Sequence, residues 1–240
     1  SFHDFIILKK NKLNGYKLLI KLIVKLQKIR IKKLYKFGKF KVKLQKYTTN
    51  NLHKESDLFF DWYLKYYLKD KNIGKIKKAL RFELNKVYKK LNFKNDTFVH
   101  RDFHVSNIML DKKKLGVIDS QDAIIGNPLY DVASLIDDVR IKLPQDLQND
   151  LFKFYYNNSK HKKEKIEKLK NDFDILSVQR NLKILGIFVR LCKRDNKLNY
   201  LKYLPYTWLL VEKRMKNPIF DQLNILFKKH LPLKLSLIHI

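Results

Sequence analysis

Residues 97–138 constrain this chain more than any other stretch, because short apolar runs alternate there with loops that end on carboxylates and an amide. Thr97-Phe98-Val99 is a β-branched and aromatic run that reads as a strand. It delivers His100-Arg101-Asp102 into a loop, and Asn107 follows five positions after Asp102. Ile108-Met109-Leu110 and Leu115-Gly116-Val117-Ile118 are further apolar runs, separated by the polar turn Asp111-Lys112-Lys113-Lys114, and the second ends at Asp119. Two short strands joined by a tight turn place Asn107 at the entry of a hairpin and Asp119 at its exit.

That arrangement suits phosphoryl transfer, which needs a carboxylate at the attacking hydroxyl and hard oxygen ligands for the magnesium that bridges nucleotide phosphates. His-Arg-Asp, four residues, Asn, then an Asp after an apolar strand is the catalytic-loop and metal-loop pattern of protein kinases. The chain then departs from that pattern. Asp119 is followed by Ser120-Gln121-Asp122 and not Phe-Gly, and no Ala-Pro-Glu comes after. A lone His-Arg-Asp triplet or a lone Asp after a strand is an ordinary loop feature, and His104 reads as a loop or packing residue. Order and spacing together carry the reading.

Gly126-Asn127-Pro128-Leu129-Tyr130-Asp131-Val132-Ala133 comes next. With it, the segment resembles the aminoglycoside phosphotransferase and choline kinase superfamily, where a metal-binding Asp is followed by G-x-P-x-Y-D-x-A. Residues 118–138 are most similar to the anomeric kinases of cell-wall recycling, which phosphorylate N-acetylmuramate and N-acetylglucosamine, and the blocks at 57–64 and 179–191 resemble the same subfamily. The resemblance covers most of the chain, from about the first helix to the region of Pro205.

The resemblance implies an α+β fold, the C-terminal lobe of a protein-kinase-like fold, mostly helical with a small catalytic β-hairpin. It implies transfer of the γ-phosphoryl of ATP to the anomeric hydroxyl of an N-acetylated amino sugar, with Mg2+ as cofactor, in the cytoplasm. Asp102 would orient the acceptor hydroxyl and take its proton, with His100 bracing the catalytic loop beside it. Asn107 and Asp119 would bind magnesium, Asp131 would be structural support, and Gln121 and Asp122 would lie within reach of the sugar. Arg101 receives no role. Two rival readings are an aminoglycoside or choline-type kinase, and an inactive kinase-like scaffold binding RNA or anionic lipid. Retention of Asp102, Asn107 and Asp119 together favours an enzyme.

The formal net charge of +30 points on its face to nucleic acid or an anionic membrane. Only eight of the 53 basic residues are arginine, however, and the lysines are spread along the chain among Asn and Ile. Nucleic-acid sites concentrate basic residues and enrich arginine for bidentate contacts, so neither a nucleic-acid nor a membrane partner is expected. A length of 240 residues with 45% hydrophobic content suffices for a substantial core. The single cysteine, Cys192, excludes a disulfide framework and fits a reducing compartment. No run approaches the length of a membrane span.

Helical spacing predicts a helix over 15–34, with Leu18, Leu19, Leu22, Ile23, Leu26 and Ile29 on its apolar face. Residues 36–53 are polar and basic and read as a loop. An aromatic-rich helix over 54–69 is expected to be broken by Gly74, with a third over 75–91. Pro128 suits the first turn of a helix over 129–139. Further helices are predicted at 145–157, 162–194, 200–214 and 217–229, the long one splitting near Asn171-Asp172. Upstream of Asp102 there is no five-stranded sheet pattern, glycine-rich phosphate loop or strand lysine followed by a helix glutamate. The nucleotide-gripping N-terminal lobe is therefore expected to be missing and the chain to be an inactive fragment. Residues 1–234 would form the C-terminal lobe, and 235–240 a non-native tail that resembles a translated sequencing-library adapter.

Overall fold

The computed structural model describes residues 12–32, 34–68, 72–112 and 114–231, so the expected non-native tail at 235–240 lies outside the described residues. In chain order the elements are α1 (Lys12–Gln27), β1 (Tyr35–Phe37), β2 (Phe40–Val42) and α2 (Thr49–Leu58), which runs through a π-helical turn (Phe59–Leu64) into α3 (Lys65–Tyr67). Then come α4 (Ile73–Tyr88), β3 (Thr97–Val99), β4 (Ile108–Asp111), β5 (Lys114–Val117) and β6 (Ile124–Gly126). The chain closes with α5 (Leu129–Ile136), α6 (Gln145–Asn158), α7 (Ile166–Asp195), α8 (Leu204–Arg214) and α9 (Asp221–His230). The architecture is mostly helical with small antiparallel sheets, the class expected from the sequence. Two compact units divide it: 1–47 with 92–173, and 48–91 with 174–240.

In the first unit, α1 buries Tyr16, Leu19, Ile20, Ile23 and Val24, while Leu18 and Ile29 are exposed. The buried stripe is thus rotated from the expected one, and the helix stops at Gln27, well short of 34. The end is set by tertiary partners. Gln27 Nε2 donates to the Pro128 carbonyl at 2.7 Å, and the Tyr155 hydroxyl of α6 donates to Gln27 Oε1 at 3.0 Å. Burial holds the Tyr155 phenol far above its ordinary pKa, which keeps it a donor. Lys28 and Ile29 then close the last turn with 3₁₀-type bonds to Lys25 and Leu26.

The stretch expected as a loop over 36–53 instead contains the β1–β2 hairpin, with Tyr35 opposite Val42 and Lys36 opposite Lys41. Gly38, at φ +58°, supplies the left-handed backbone of its turn. β6 pairs antiparallel with β3, setting Val99 opposite Ile124 and Thr97 opposite Gly126. On the other edge of β6 the Tyr47 amide donates to the Ile125 carbonyl and the Ile125 amide to the Gln45 carbonyl, both at 2.8 Å. β4 and β5 form the expected hairpin, Ile108 opposite Val117.

In the second unit, Thr48 caps α2 through a reciprocal capping box with Asn51. The aromatic residues of the π-helical turn pack into a stacked column: Phe59 on Tyr63 at 5.2 Å, Tyr63 on Trp208 at 5.7 Å, and Trp208 on Phe227 at 6.0 Å between centroids. Core packing thus accounts for much of the aromatic excess there. Gly74 sits inside the first turn of α4 and not at a break. A Cβ on the buried Gly186 would land on the Leu58 carbonyl, so glycine is what allows α7 to approach the start of the π-helical turn so closely. Cys192 is free and buried.

The split expected near Asn171-Asp172 does not occur, and α7 runs unbroken. Mid-helix Asp is unfavourable mainly where its side chain competes for its own backbone. Asp172 instead accepts from the Asn92 and Phe93 amides at 2.7 and 2.9 Å and from Asn127 Nδ2 at 2.7 Å.

Candidate active site

The site is built in the first unit, from the loop between β3 and β4 and from the exit of β5. β3 ends at Val99, and the next two amides both donate to one carboxylate: His100 N to Asp131 Oδ2 at 2.7 Å and Arg101 N to Asp131 Oδ1 at 2.9 Å. Asp131 is 2% exposed, in the first turn of α5. It anchors a backbone that would otherwise be unfavourable, since Arg101 has φ 77°, a region that bulky side chains rarely adopt. The Arg101 guanidinium lies over the Tyr47 ring, 6.0 Å from its centroid.

Asp102 follows, its side chain 53% exposed. Asn107 Nδ2 donates to Asp102 Oδ2 at 3.1 Å and to the Asp102 carbonyl at 3.0 Å. His104 Nε2 lies 3.3 Å from Asp102 Oδ1, and His104 is 4% exposed. Each carboxylate oxygen of Asp102 therefore has a buried neighbour fixing it from behind while the group opens to solvent in front. Sequence reasoning gave His104 only a packing role; its place two residues past Asp102 was the available signal.

Asn107 precedes β4 directly, and the Ile118 amide donates to its carbonyl at 3.0 Å, extending the β4–β5 ladder by one rung. Asp119 is the next residue. It adopts the left-handed conformation, φ 61° and ψ 42°, which Asp tolerates better than most residues. His100, 1% exposed, donates Nε2–H to the Ile118 carbonyl at 3.0 Å, since a carbonyl can only accept. His100 therefore acts as a brace, tying the loop between β3 and β4 to the residue before Asp119. Asn107 and Asp119 accordingly flank the open end of one hairpin.

Gln121 and Asp122 are exposed on the 3₁₀ turn Ser120–Asp122. Among the described residues neither is hydrogen-bonded to the Asp102–Asn107 pair.

Behind the loop lies a support the sequence did not reveal. Asn127 Oδ1 accepts from the Leu129 amide at 2.9 Å, starting α5, while its Nδ2 reaches Asp172. Gly126 lets β6 sit close to β3, since a Cβ there would meet Val99 Cγ2 at 3.1 Å. The Gly-Asn-Pro run thus positions Asp131 through backbone geometry.

The donor set fits a magnesium ion. With its amide nitrogen tied to Asp102, Asn107 turns its oxygen the other way, and Asp119 is an exposed carboxylate at the same hairpin end. Mg2+ usually takes one or two protein oxygens and completes its shell with water and substrate phosphates. Among the described residues no cluster of three or more His, Cys, Asp or Glu forms an all-protein metal cage. No helix of the described residues is long and apolar enough to cross a membrane.

Comparison with known proteins gives matches of three kinds. The APH phosphotransferase enzyme family matches residues 14–163. N-acetylmuramate/N-acetylglucosamine kinase of Pseudomonas aeruginosa is 32% identical over 158 residues, 64% of this chain and 47% of that protein. The protein of the same name from Neisseria meningitidis serogroup B is 31% identical over 166 residues, 68% of this chain and 50% of its own. The chain thus spans about half the length of the curated relatives it matches. Among solved structures, a choline/ethanolamine kinase family protein from Mesorhizobium loti superposes with a TM-score of 0.55 at 13% identity, covering 90% of this chain and 69% of that one. A spectinomycin phosphotransferase solved with ADP and spectinomycin gives 0.50 at 14% identity, covering 94% and 68%. At those identities the likeness concerns the fold alone.

Proposed function

The chain belongs to the phosphotransferase enzyme family, and from that premise we propose that the protein transfers the γ-phosphoryl group of ATP to the anomeric hydroxyl of an N-acetylated amino sugar. One observation carries the proposal: a solvent-facing carboxylate, Asp102, held by Asn107 and His104 beside a hairpin end that presents Asn107 and Asp119. The names of the curated relatives support the acceptor class.

In this reading Asp102 accepts a hydrogen bond from the acceptor hydroxyl, aims its oxygen at the phosphorus, and takes the proton as the bond forms. Asn107 Nδ2 and His104 hold the carboxylate at one angle, which matters because misorientation removes much of the advantage of a bound nucleophile. Asn107 Oδ1 and the Asp119 carboxylate would hold Mg2+, which when bound neutralises charge on the nucleotide phosphates. His100 and Asp131 keep the two halves of the site in register. Gln121 and Asp122 offer polar groups for ring hydroxyls, where an unmatched buried partner would be costly for the wrong sugar.

The test is a panel of N-acetylmuramate, N-acetylglucosamine, their 1-deoxy analogues, an aminoglycoside and choline, offered to a protein that also carries the nucleotide-gripping lobe, with the phosphorylated position read by 31P NMR. Phosphate on the anomeric oxygen of the N-acetylated sugars is expected. Turnover of a 1-deoxy sugar, or of only the aminoglycoside or choline, would defeat the anomeric assignment.

A further inference from the structure

The apolar face of α1 is only partly covered by the described residues of the first unit. Leu22 and Leu26 stay half-buried, and Ile29, just past the helix, is exposed. With Phe98 of β3 and Leu115 and Val117 of β5 they line a cavity of about 460 Å³, a volume typical of small-molecule sites. Every lining residue belongs to the first unit.

Two kinds of polar group complete the lining. Lys25 and Lys28 are exposed, and among the described residues no carboxylate pairs with either. His100 is the opposite case, 1% exposed. Its Nε2–H is spent on the Ile118 carbonyl at 3.0 Å, so the neutral ring leaves Nδ1 as an acceptor. That Nδ1 is buried and meets no hydrogen-bond donor. A buried acceptor left unmatched costs folding free energy, which a hydroxyl delivered through the cavity would recover. A water on Nδ1 would serve the imidazole alone and leave the apolar walls uncovered. Exposed cations, apolar walls and a buried acceptor together ask for an apolar body with an anionic group at one end and a hydrogen-bond donor at the other.

We propose that this cavity binds a small hydroxyaryl carboxylate. The ring lies against the apolar walls, the carboxylate meets Lys25 and Lys28, and the phenolic O–H donates to His100 Nδ1. An aromatic ring suits the walls better than an alkyl chain because it covers them with fewer rotors to freeze. Such a ligand reaches the site described above through one imidazole. A donor on Nδ1 draws electron density from the ring and strengthens the Nε2–H bond to the Ile118 carbonyl, so occupancy tightens the brace beside Asp119.

The test is isothermal titration of the 240-residue chain with 3-(4-hydroxyphenyl)propionate, its deoxy analogue 3-phenylpropionate and the neutral 3-(4-hydroxyphenyl)propionamide. The hydroxy acid should bind wild type most tightly, with each analogue weaker by about fivefold, the worth of one neutral hydrogen bond or of an exposed ion pair. Lys25→Gln combined with Lys28→Gln changes only exposed side chains, so the double variant should fold as wild type does. It should bind the hydroxy acid about as weakly as wild type binds the amide. The imidazole supplies a second readout: the 15N resonance of His100 Nδ1 should shift with the hydroxy acid and not with the deoxy acid. No binding of the hydroxy acid by wild type at millimolar concentration overturns the site. Equal binding of the hydroxy and deoxy acids with an unmoved Nδ1 resonance takes His100 out of it, and undiminished binding by the double variant takes the lysines out. Either result overturns the proposal.

Discussion

At the scale of single residues, the site separates an exposed carboxylate from the buried groups that hold it. Asp102 is half open to solvent, whereas His100, His104 and Asp131 are each at most 4% exposed. Replacing Asp102 by Asn keeps the shape and the contact to Asn107 but removes the proton acceptor. In a protein that also carries the nucleotide-gripping lobe, turnover should fall by about 10²- to 10⁴-fold, the usual contribution of a general base, while nucleotide affinity stays near wild type. A variant retaining most of its turnover would remove Asp102 from the mechanism. Asp119→Ala acts on a different step: magnesium-dependent nucleotide binding should disappear in a calorimetric titration, and unchanged curves with and without magnesium would sink that assignment.

At the scale of elements, α7 comes close against the start of the π-helical turn, at Gly186 and Leu58. Backbone faces backbone there, so no side chain can swing aside to admit a methyl group. Gly186→Ala should therefore cost about 2 kcal/mol, typical of overpacking, although Ala in place of Gly favours a helix locally. The melting temperature should drop by about 6 °C for a protein of this size. A melting temperature within about 1 °C of wild type would show that the two segments separate easily.

For the whole molecule, charge is the dominant property. The formal net charge is +30, and no Asp or Glu occurs between Asp4 and Glu55. The β1–β2 hairpin lies within that acid-free span, and its register sets Lys36 directly opposite Lys41. Like charges across a strand pair are destabilising, and a large net charge opposes compaction through self-repulsion. Raising sodium chloride from about 10 mM to about 150 mM shortens the screening length from about 30 Å to about 8 Å. Stability should rise with it, by several degrees in melting temperature. A melting temperature that falls over that range would mean that attractive ion pairs outweigh the repulsion.

By itself the sequence determined the order of the site and the kind of fold around it. Asp102, Asn107 and Asp119 are joined by a short loop and a hairpin, so their spacing and the apolar runs between them bring them to one end of that hairpin with little help from the rest of the chain. What only the tertiary structure decided lies at longer range. Asp131 reaches back to His100 and Arg101, and Asp172 gathers Asn92, Phe93 and Asn127. Gln27 ends α1 by turning to Pro128 and Tyr155, and Gly186 is needed only because Leu58 is there. The β1–β2 hairpin was in principle legible, since Tyr-Lys-Phe and Phe-Lys-Val alternate about Gly38, but the density of lysines reads first as loop. The physical reason is common to all of these. Periodicity reports that a face will be buried, whereas the partner that buries it, and the polar group left to satisfy, depend on segments far away in sequence.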